Sequence, residues 1–410
     1  MSKGIVEQAK NLQNDIVKWR RALHQIPETG IYLPRTNAYI EKCLQKLQIE
    51  YNTFQGFSGI TALIKGRDCK NVIALRADMD ALPIEERTGL AFASKNGNMH
   101  ACGHDAHMAM LLGAATILSQ NRDKLNGSVK LIFQPAEENA RGAGLLISNG
   151  ILDNPAVNAI VGLHIGSIFP EIKNGQIGYC STTMMSSYDK FTIKVIGKSC
   201  HGARPEKGID PIPIASNIIN SLQTIISRII KPSHPAVLTI GKISGGTSYN
   251  IIPANVELEG TIRAIDENDR NIIADHIRTI SSGIAQAMGG FCEFEMLKGA
   301  PALTNNPSFT IGALKSVQDV VGIENTIEIK EPTMVGEDFS YYLQKVPGTF
   351  LILGSYGEPC NDNYDHHSPF FIISEDVLWI GAAALSKIAL DYLDEPYRYI
   401  TSADILVSTH

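Results

Sequence analysis

No run of apolar residues in the 410-residue chain approaches the ~20 needed to span a bilayer. No basic block is present, and the formal net charge is −6, so nothing in the sequence invites a nucleic-acid backbone. The opening stretch MSKGIVEQAKNLQNDIVKW is too polar for a secretory signal. Internal repeats and low-complexity segments are missing as well. The seven cysteines, at 43, 69, 102, 180, 200, 292 and 360, are scattered and odd in number. They form no disulfide framework, and a reducing cytoplasm is the expected location. What is there is ordinary for a globular protein: 44% hydrophobic and 19% charged residues. Domains run about 100–200 residues, so the length predicts two.

The chain falls into two patterns. Ile5, Leu12, Ile16, Val17 and Trp19 recur at helical spacing, which predicts a helix over 4–23. Short apolar runs at 71–78, 128–133 and 159–165 read as buried strands, with helices at 105–120 and 140–149 between them. Strands alternating with helices predict an α/β layer around a mostly parallel sheet. Near residue 187 the pattern changes. Strands at 189–197, 236–243, 255–264 and 292–297 are interleaved with helices at 211–230 and 267–288. That order is β-α-β-β-α-β, the split arrangement of ferredoxin-like domains. A second domain, 187–298, is therefore expected as an insertion into a first domain made of 1–186 and 299–395. The first pattern resumes with helices at 304–318 and 337–345, a strand at 348–354 and a helix at 374–393, and 396–410 reads as a loose tail.

The chemistry concentrates in NMHACGHDAHMAM, 98–110, which holds three of the eleven histidines together with Cys102 and Asp105. Other polar residues sit at or just past predicted strand ends: Asp78 and Asp80 in LRADMD, Glu137 and Glu138 in FQPAEEN, His164 in GLHI. After the strand at 348–354, NYDHHSPFF adds His366 and His367. Open α/β sheets bind ligands outside the carboxyl ends of their strands, so these segments are expected to converge on one crevice. Cysteine, histidine and carboxylate together suit zinc, nickel, cobalt or manganese. The spacings of structural zinc fingers are absent. Ligands so far apart in sequence point instead to a preformed catalytic site, and carboxylates shared by two ions mark two-metal hydrolases.

The segments LRADMDALPI, MHACGHDAHMAMLLGAA, FQPAEE, GLHI, GKSCHGARPEKGIDPI, GGTSYNIIP, GTIRA, GEDFSYY and HHSPFF occur in this order. In them the chain resembles the metal-dependent amidohydrolases that include hippurate hydrolase, bacterial aminoacylases and auxin-conjugate hydrolases, relatives of carboxypeptidase G. The likeness runs from about residue 14 to 393. It implies a catalytic domain of the zinc-peptidase type, with a mixed, mostly parallel sheet, and an inserted ferredoxin-like lid. It also implies two divalent metal ions per subunit, with Cys102, His104, Glu138, His164 and His367 as ligands and Glu137 as general base. Asp80 matches an acidic position beside the metals, and His201 in CHGARP matches the residue that polarises the scissile carbonyl, in many relatives across a subunit boundary. Asn250 and Arg263 match the substrate-binding positions of the lid, where a guanidinium can hold a carboxylate through two hydrogen bonds.

The family usually carries one histidine before the Ser/His-Pro pair; this chain has two, of which His367 aligns better. Asp78 stands where more distant relatives have a metal-binding histidine; His366 stays open as the other candidate of the pair, and His100 and His107 read as residues that support the ligands or pack beside them. The expected reaction is hydrolysis of an N-acyl-L-amino acid to a carboxylic acid and a free amino acid. The expected assembly is a homodimer or homotetramer through the lid, with no nucleic-acid or membrane partner. Three alternatives remain open. They are a dipeptidase or aminopeptidase of the same superfamily, a cysteine hydrolase with Cys102 as nucleophile, and a non-catalytic metal-binding protein on this scaffold.

Overall fold

The structure, a computed structural model, describes residues 2–68, 70–356 and 365–399. The chain divides into two compact units. One comprises Met1–Met184, Thr304–Glu331 and Asp338–His410, the other Met185–Leu303 and Pro332–Glu337. Among the described residues no helix is long and apolar enough to cross a membrane.

The first unit is built on an eight-stranded sheet. Its spatial order is Glu50–Thr53, Ile60–Lys65, Ser128–Gln134, Val72–Asp78, Ala159–Gly166, Gly348–Gly354, Ile177–Tyr179 and Thr326–Glu328. The four central strands run parallel, as the apolar runs predict, and antiparallel strands flank them. Each of the four is buried along its whole length, which is why its sequence shows no alternation. The helices Ser2–His24, His104–Gln120 and Leu378–Asp394 pack on one another. They meet at Gly113, where a Cβ would come within 2.9 Å of both Ala382 and Ile16. Helix His104–Gln120 is buried from His104 to Leu118 because it is enclosed by its neighbours and the sheet, and its apolar side chains fill the centre of the core.

The short strands Glu50–Thr53, Ile177–Tyr179 and Thr326–Glu328 and helix Pro34–Lys46 carry patterns too brief or too polar to stand out in the sequence. The expected tail starts later than 396. Pro396–Arg398 form a helical turn, and Tyr399 is buried with its ring 5.3 Å from Phe309 and 5.5 Å from Tyr392. Residues 400–410 lie outside the described residues.

The second unit has a four-stranded antiparallel sheet ordered Ala236–Gly245, Asn255–Ala264, Ser187–Ile196, Phe291–Lys298. Helices Pro211–Thr224 and Glu267–Ala287 complete a β-α-β-β-α-β order. Strand Ser187–Ile196 alternates strictly, sending Phe191, Ile193 and Val195 into a core with Ile214, Ile218, Leu258 and Ile273. Pro332–Glu337 also belongs to this unit, although the sequence pattern places it in the first. Backbone contacts explain the difference: the Ser186 N–H lies 3.1 Å from both the Thr333 and Val335 carbonyls, and its hydroxyl donates to the Met334 carbonyl.

Within this unit Arg270 grips Asp189 through Nε (2.7 Å) and Nη2 (2.5 Å), and the Gly299 N–H donates to the same carboxylate. Both side chains are nearly inaccessible, 4% and 0% exposed. Removing one partner of such a buried pair strands the other, at a cost of about 3–5 kcal/mol. Asp189→Ala is therefore expected to lower the protection of amides in strands Ser187–Ile196 and Asn255–Ala264 by that amount, read by hydrogen exchange. Unchanged protection would show that the pair contributes nothing.

Candidate metal centre

The carboxyl ends of the parallel strands place the polar residues. Strand Val72–Asp78 delivers Asp78 and, two residues on, Asp80; Ser128–Gln134 leads into Glu137 and Glu138; Ala159–Gly166 carries His164 near its end. Cys102 and His104 lie at the start of helix His104–Gln120, and His366 and His367 follow strand Gly348–Gly354.

These segments converge. Cys102, His104 and His164 offer donor atoms that all lie within 4.8 Å of one another; the same holds for Cys102, Glu138 and His367, and for His104, Glu137 and Glu138. The Cys102 Sγ is 3.5 Å from His164 Nε2, His104 Nε2 is 3.9 Å from Glu138 Oε1, and His367 Nε2 is 3.3 Å from Glu138 Oε2. All five residues for which the resemblance implies metal binding are thus brought together, with Glu137 beside them.

Backbone carbonyls orient two of the rings. His104 Nδ1 lies 2.9 Å from the Asp80 carbonyl, which can only accept, so Nδ1 carries a proton and Nε2 faces the cluster. That Nε2 is buried and has no hydrogen-bond partner among the described residues. His164 Nδ1 donates to the Ile165 carbonyl at 2.8 Å, which turns its Nε2 toward Cys102. A hydrogen bond on the far nitrogen is the usual way a protein prepares an imidazole for a metal.

Electrostatics favour a cation here. Burial pushes the Cys102 thiol well above its ordinary range, and the Glu138 and Glu137 carboxylates add to the shift against a weaker pull from His104. Burial would strip His104 of a second proton, but Asp78, the hydrogen bond to Asp80 and Cys102 together raise it well above the usual value. A divalent ion would replace that proton and reverse the penalty on the thiolate. Burial holds His164 well below its ordinary value, in the neutral form that can donate a lone pair. A sulfur, three imidazoles and a carboxylate fit a borderline divalent ion.

Asp80 sits under the two glutamates. Its Oδ1 accepts from the Glu137 N–H (3.0 Å) and its Oδ2 from the Glu138 N–H (3.2 Å), so one carboxylate fixes the backbone of both. Asp78 accepts from His107 Nδ1 (2.5 Å), whose Nε2 in turn accepts the Ile165 N–H (2.9 Å). Burial would raise the Asp78 carboxyl, but His104, His107 and Arg76 hold it well below its usual range. His100 is buried and pushed down to about 3 by that burial.

Sequence reasoning missed two networks. Arg76 spans Asp78 (2.7 Å), Gln134 (3.0 Å) and Asp338 (2.9 Å), and the Asp338 N–H donates to Glu137 Oε1 at 3.3 Å. The signal was an arginine inside an otherwise apolar strand. The second joins helix Ser2–His24 to the metal-ligand helix. Arg20 and His24 both donate to Asp105 Oδ2, at 2.9 and 2.8 Å, and His24 also contacts Glu86.

In the second unit His201 is exposed, and its Nδ1 accepts the Ala203 N–H. It pairs with Ile251, and the Gly202 N–H donates to the Asn250 carbonyl, so His201 and Asn250 are close neighbours. Arg263 stands apart from that ladder, half-buried over the ring of Tyr188 at 5.0 Å.

The chain belongs to the peptidase family M20/M25/M40, whose model matches residues 74–391, and the resemblance read from the motifs is thereby borne out. Family membership makes it a hydrolase of amide or peptide bonds. It is 39% identical to the N-acetyl-L-cysteine deacetylase of Bacillus subtilis, over 93% of this chain and 89% of the relative. It is equally similar, at 39%, to the thermostable carboxypeptidase 1 of Saccharolobus solfataricus, over 95% of this chain and 99% of the relative. The crystal structure of a Bacillus subtilis dinuclear metal-binding peptidase of family M20 superposes with a TM-score of 0.80 at 36% identity, covering 94% of this chain and 99% of that one. The expected α/β fold agrees with that neighbour.

Proposed function

We propose that the protein is a metal-dependent amidohydrolase that cleaves N-acyl-L-amino acids, with Cys102, His104, Glu138, His164 and His367 holding two divalent ions. The observation that carries this reading is the convergence of those five donors around Glu137, with His104 and His164 each turned so that Nε2 faces the cluster. The deacetylase relative and the dinuclear neighbour support it. Zinc, manganese, nickel and cobalt all suit the donor set. Bound ions would supply Lewis-acid polarisation of the scissile carbonyl and a lowered pKa for the attacking water.

Glu137 and Glu138 divide the work. Asp80 anchors both backbones; Glu138 reaches His104 and His367, while Glu137, with a carboxylate oxygen within 4.8 Å of both His104 and Glu138, accepts the Asp338 N–H. Glu137 accepts the proton of the attacking water and passes it to the leaving nitrogen. His201 stabilises the oxyanion and Arg263 holds the free carboxylate of the amino acid, while Asn250, beside His201 and apart from Arg263, is a further substrate-binding residue. The exposed Tyr249, Ile251, Phe291 and Leu297 of the second unit support assembly as a homodimer or homotetramer through that unit.

Glu137→Gln keeps the volume and removes the base. Turnover is expected to fall by at least ~10²–10⁴-fold with metal content unchanged, whereas Glu138→Gln loses metal. Steady-state kinetics with metal analysis checks this, and near-normal turnover in Glu137→Gln contradicts the assignment.

A peptidase reading has the carboxypeptidase relative in its favour. Arg263→Ala separates a reader of amino-acid carboxylates from a general amidase. A charge-assisted bidentate contact contributes about 1.5–3 kcal/mol, so kcat/KM on an N-acyl amino acid should fall about tenfold to a few hundredfold. The loss should vanish on the same substrate with its carboxylate amidated. Equal loss on both substrates means that Arg263 supports the fold of its unit instead.

A further inference from the structure

The histidine pair near the C-terminal end of the described chain splits into two environments. His367, in a left-handed turn at φ 66°, points Nε2 at Glu138. His366 turns the other way, into the end of strand Ala159–Gly166. Its Nε2 accepts the Ser167 backbone N–H at 3.1 Å. Its Nδ1 lies 3.6 Å from the Cys102 Sγ. The ring lies 4.5 Å from Phe371 and 5.3 Å from His164, centroid to centroid. Gly166, at φ +126°, leaves room for it, and a Cβ at that position would collide with the imidazole. The backbone N–H of His366 donates to the Asp365 carboxylate at 2.8 Å, which fixes the residue at its other end.

The backbone decides the tautomer. An amide N–H can only donate, so the Nε2 it meets carries a lone pair, and the single proton of a neutral imidazole sits on Nδ1. That proton points at the Cys102 sulfur. A metal on Nδ1 would demand a proton on Nε2, facing the Ser167 N–H donor head on. The geometry therefore excludes His366 as a ligand through either nitrogen and leaves it one role toward the sulfur.

We propose that His366 is a positioning residue for Cys102, donating an Nδ1–H···S hydrogen bond to its thiolate and so limiting the charge that the sulfur gives to the metal ions. The inference rests on Cys102 being a metal ligand. Outer partners of this kind change metal affinity by about 10–100-fold when removed.

The test uses the whole protein loaded with cobalt, whose sulfur-to-metal charge-transfer absorption reports on the thiolate. His366→Phe keeps a ring against Phe371 and removes the donor. It should still bind as many ions as the wild type at saturation, shift the band to lower energy, and change cobalt affinity about 10–100-fold. His366→Asn, whose side-chain N–H falls near the position of the imidazole Nδ1–H, should move both readouts back toward the wild type. A second measurement needs no substitution: in the zinc-loaded, ¹⁵N-histidine-labelled protein, the ring nitrogen shifts of His366 should show Nδ1 protonated. A band that does not move in His366→Phe, the loss of an ion at saturation, or an Nε2-protonated ring overturns the proposal alone. A wild-type protein with no sulfur-to-cobalt band overturns the ligand role of Cys102, and the proposal with it.

Discussion

Charge is the constraint on which the first unit depends. Asp78, Asp80, Glu137, Glu138 and Asp338 crowd together at the strand ends, and all but Glu138 are buried. Arg76 reaches Asp78 and Asp338 and leaves the side nearest Cys102 and Glu138 rich in anionic donors. Unpaired buried charge costs several kcal/mol per group, so such a cluster persists only where cations offset it. The arginine supplies one positive charge from behind. Divalent ions would supply the rest from the front, and the family to which the chain belongs contains a dinuclear metal-binding member of the same fold.

The backbone prepares the cluster in advance. The carbonyl groups of Asp80 and Ile165 fix the protons of His104 and His164, and the amides of Ile165 and Ser167 fix those of His107 and His366. Each of these groups lies at or next to a strand end, so the sheet that forms the core also sets the tautomers of the site. The Asp80 carboxylate extends the same logic to the two glutamates by binding both of their amides.

Much of this was legible in the sequence because the signals were local. Buried parallel strands read as apolar runs, and the site residues lie at or just past the ends of those runs, as with Asp80, Glu137 and His164. What stayed hidden depends on partners far away in sequence. Arg76 and Asp338 are 262 positions apart, and nothing in either segment announces the other. His24 looks like the end of an amphipathic helix until Asp105 and Glu86 close on it. The backbone bonds of Ser186 to 333–335 likewise have no local pattern. The first histidine of the HHSP segment, His366, could not be placed from spacing alone, since its orientation follows from the single amide of Ser167.

Crystals of the protein grown with zinc, measured on both sides of the zinc absorption edge, test the central claim most directly. Two anomalous peaks are expected among Cys102, His104, Glu138, His164 and His367, with none on His366. A single peak, or none, within that set would contradict a two-ion centre held by these five residues.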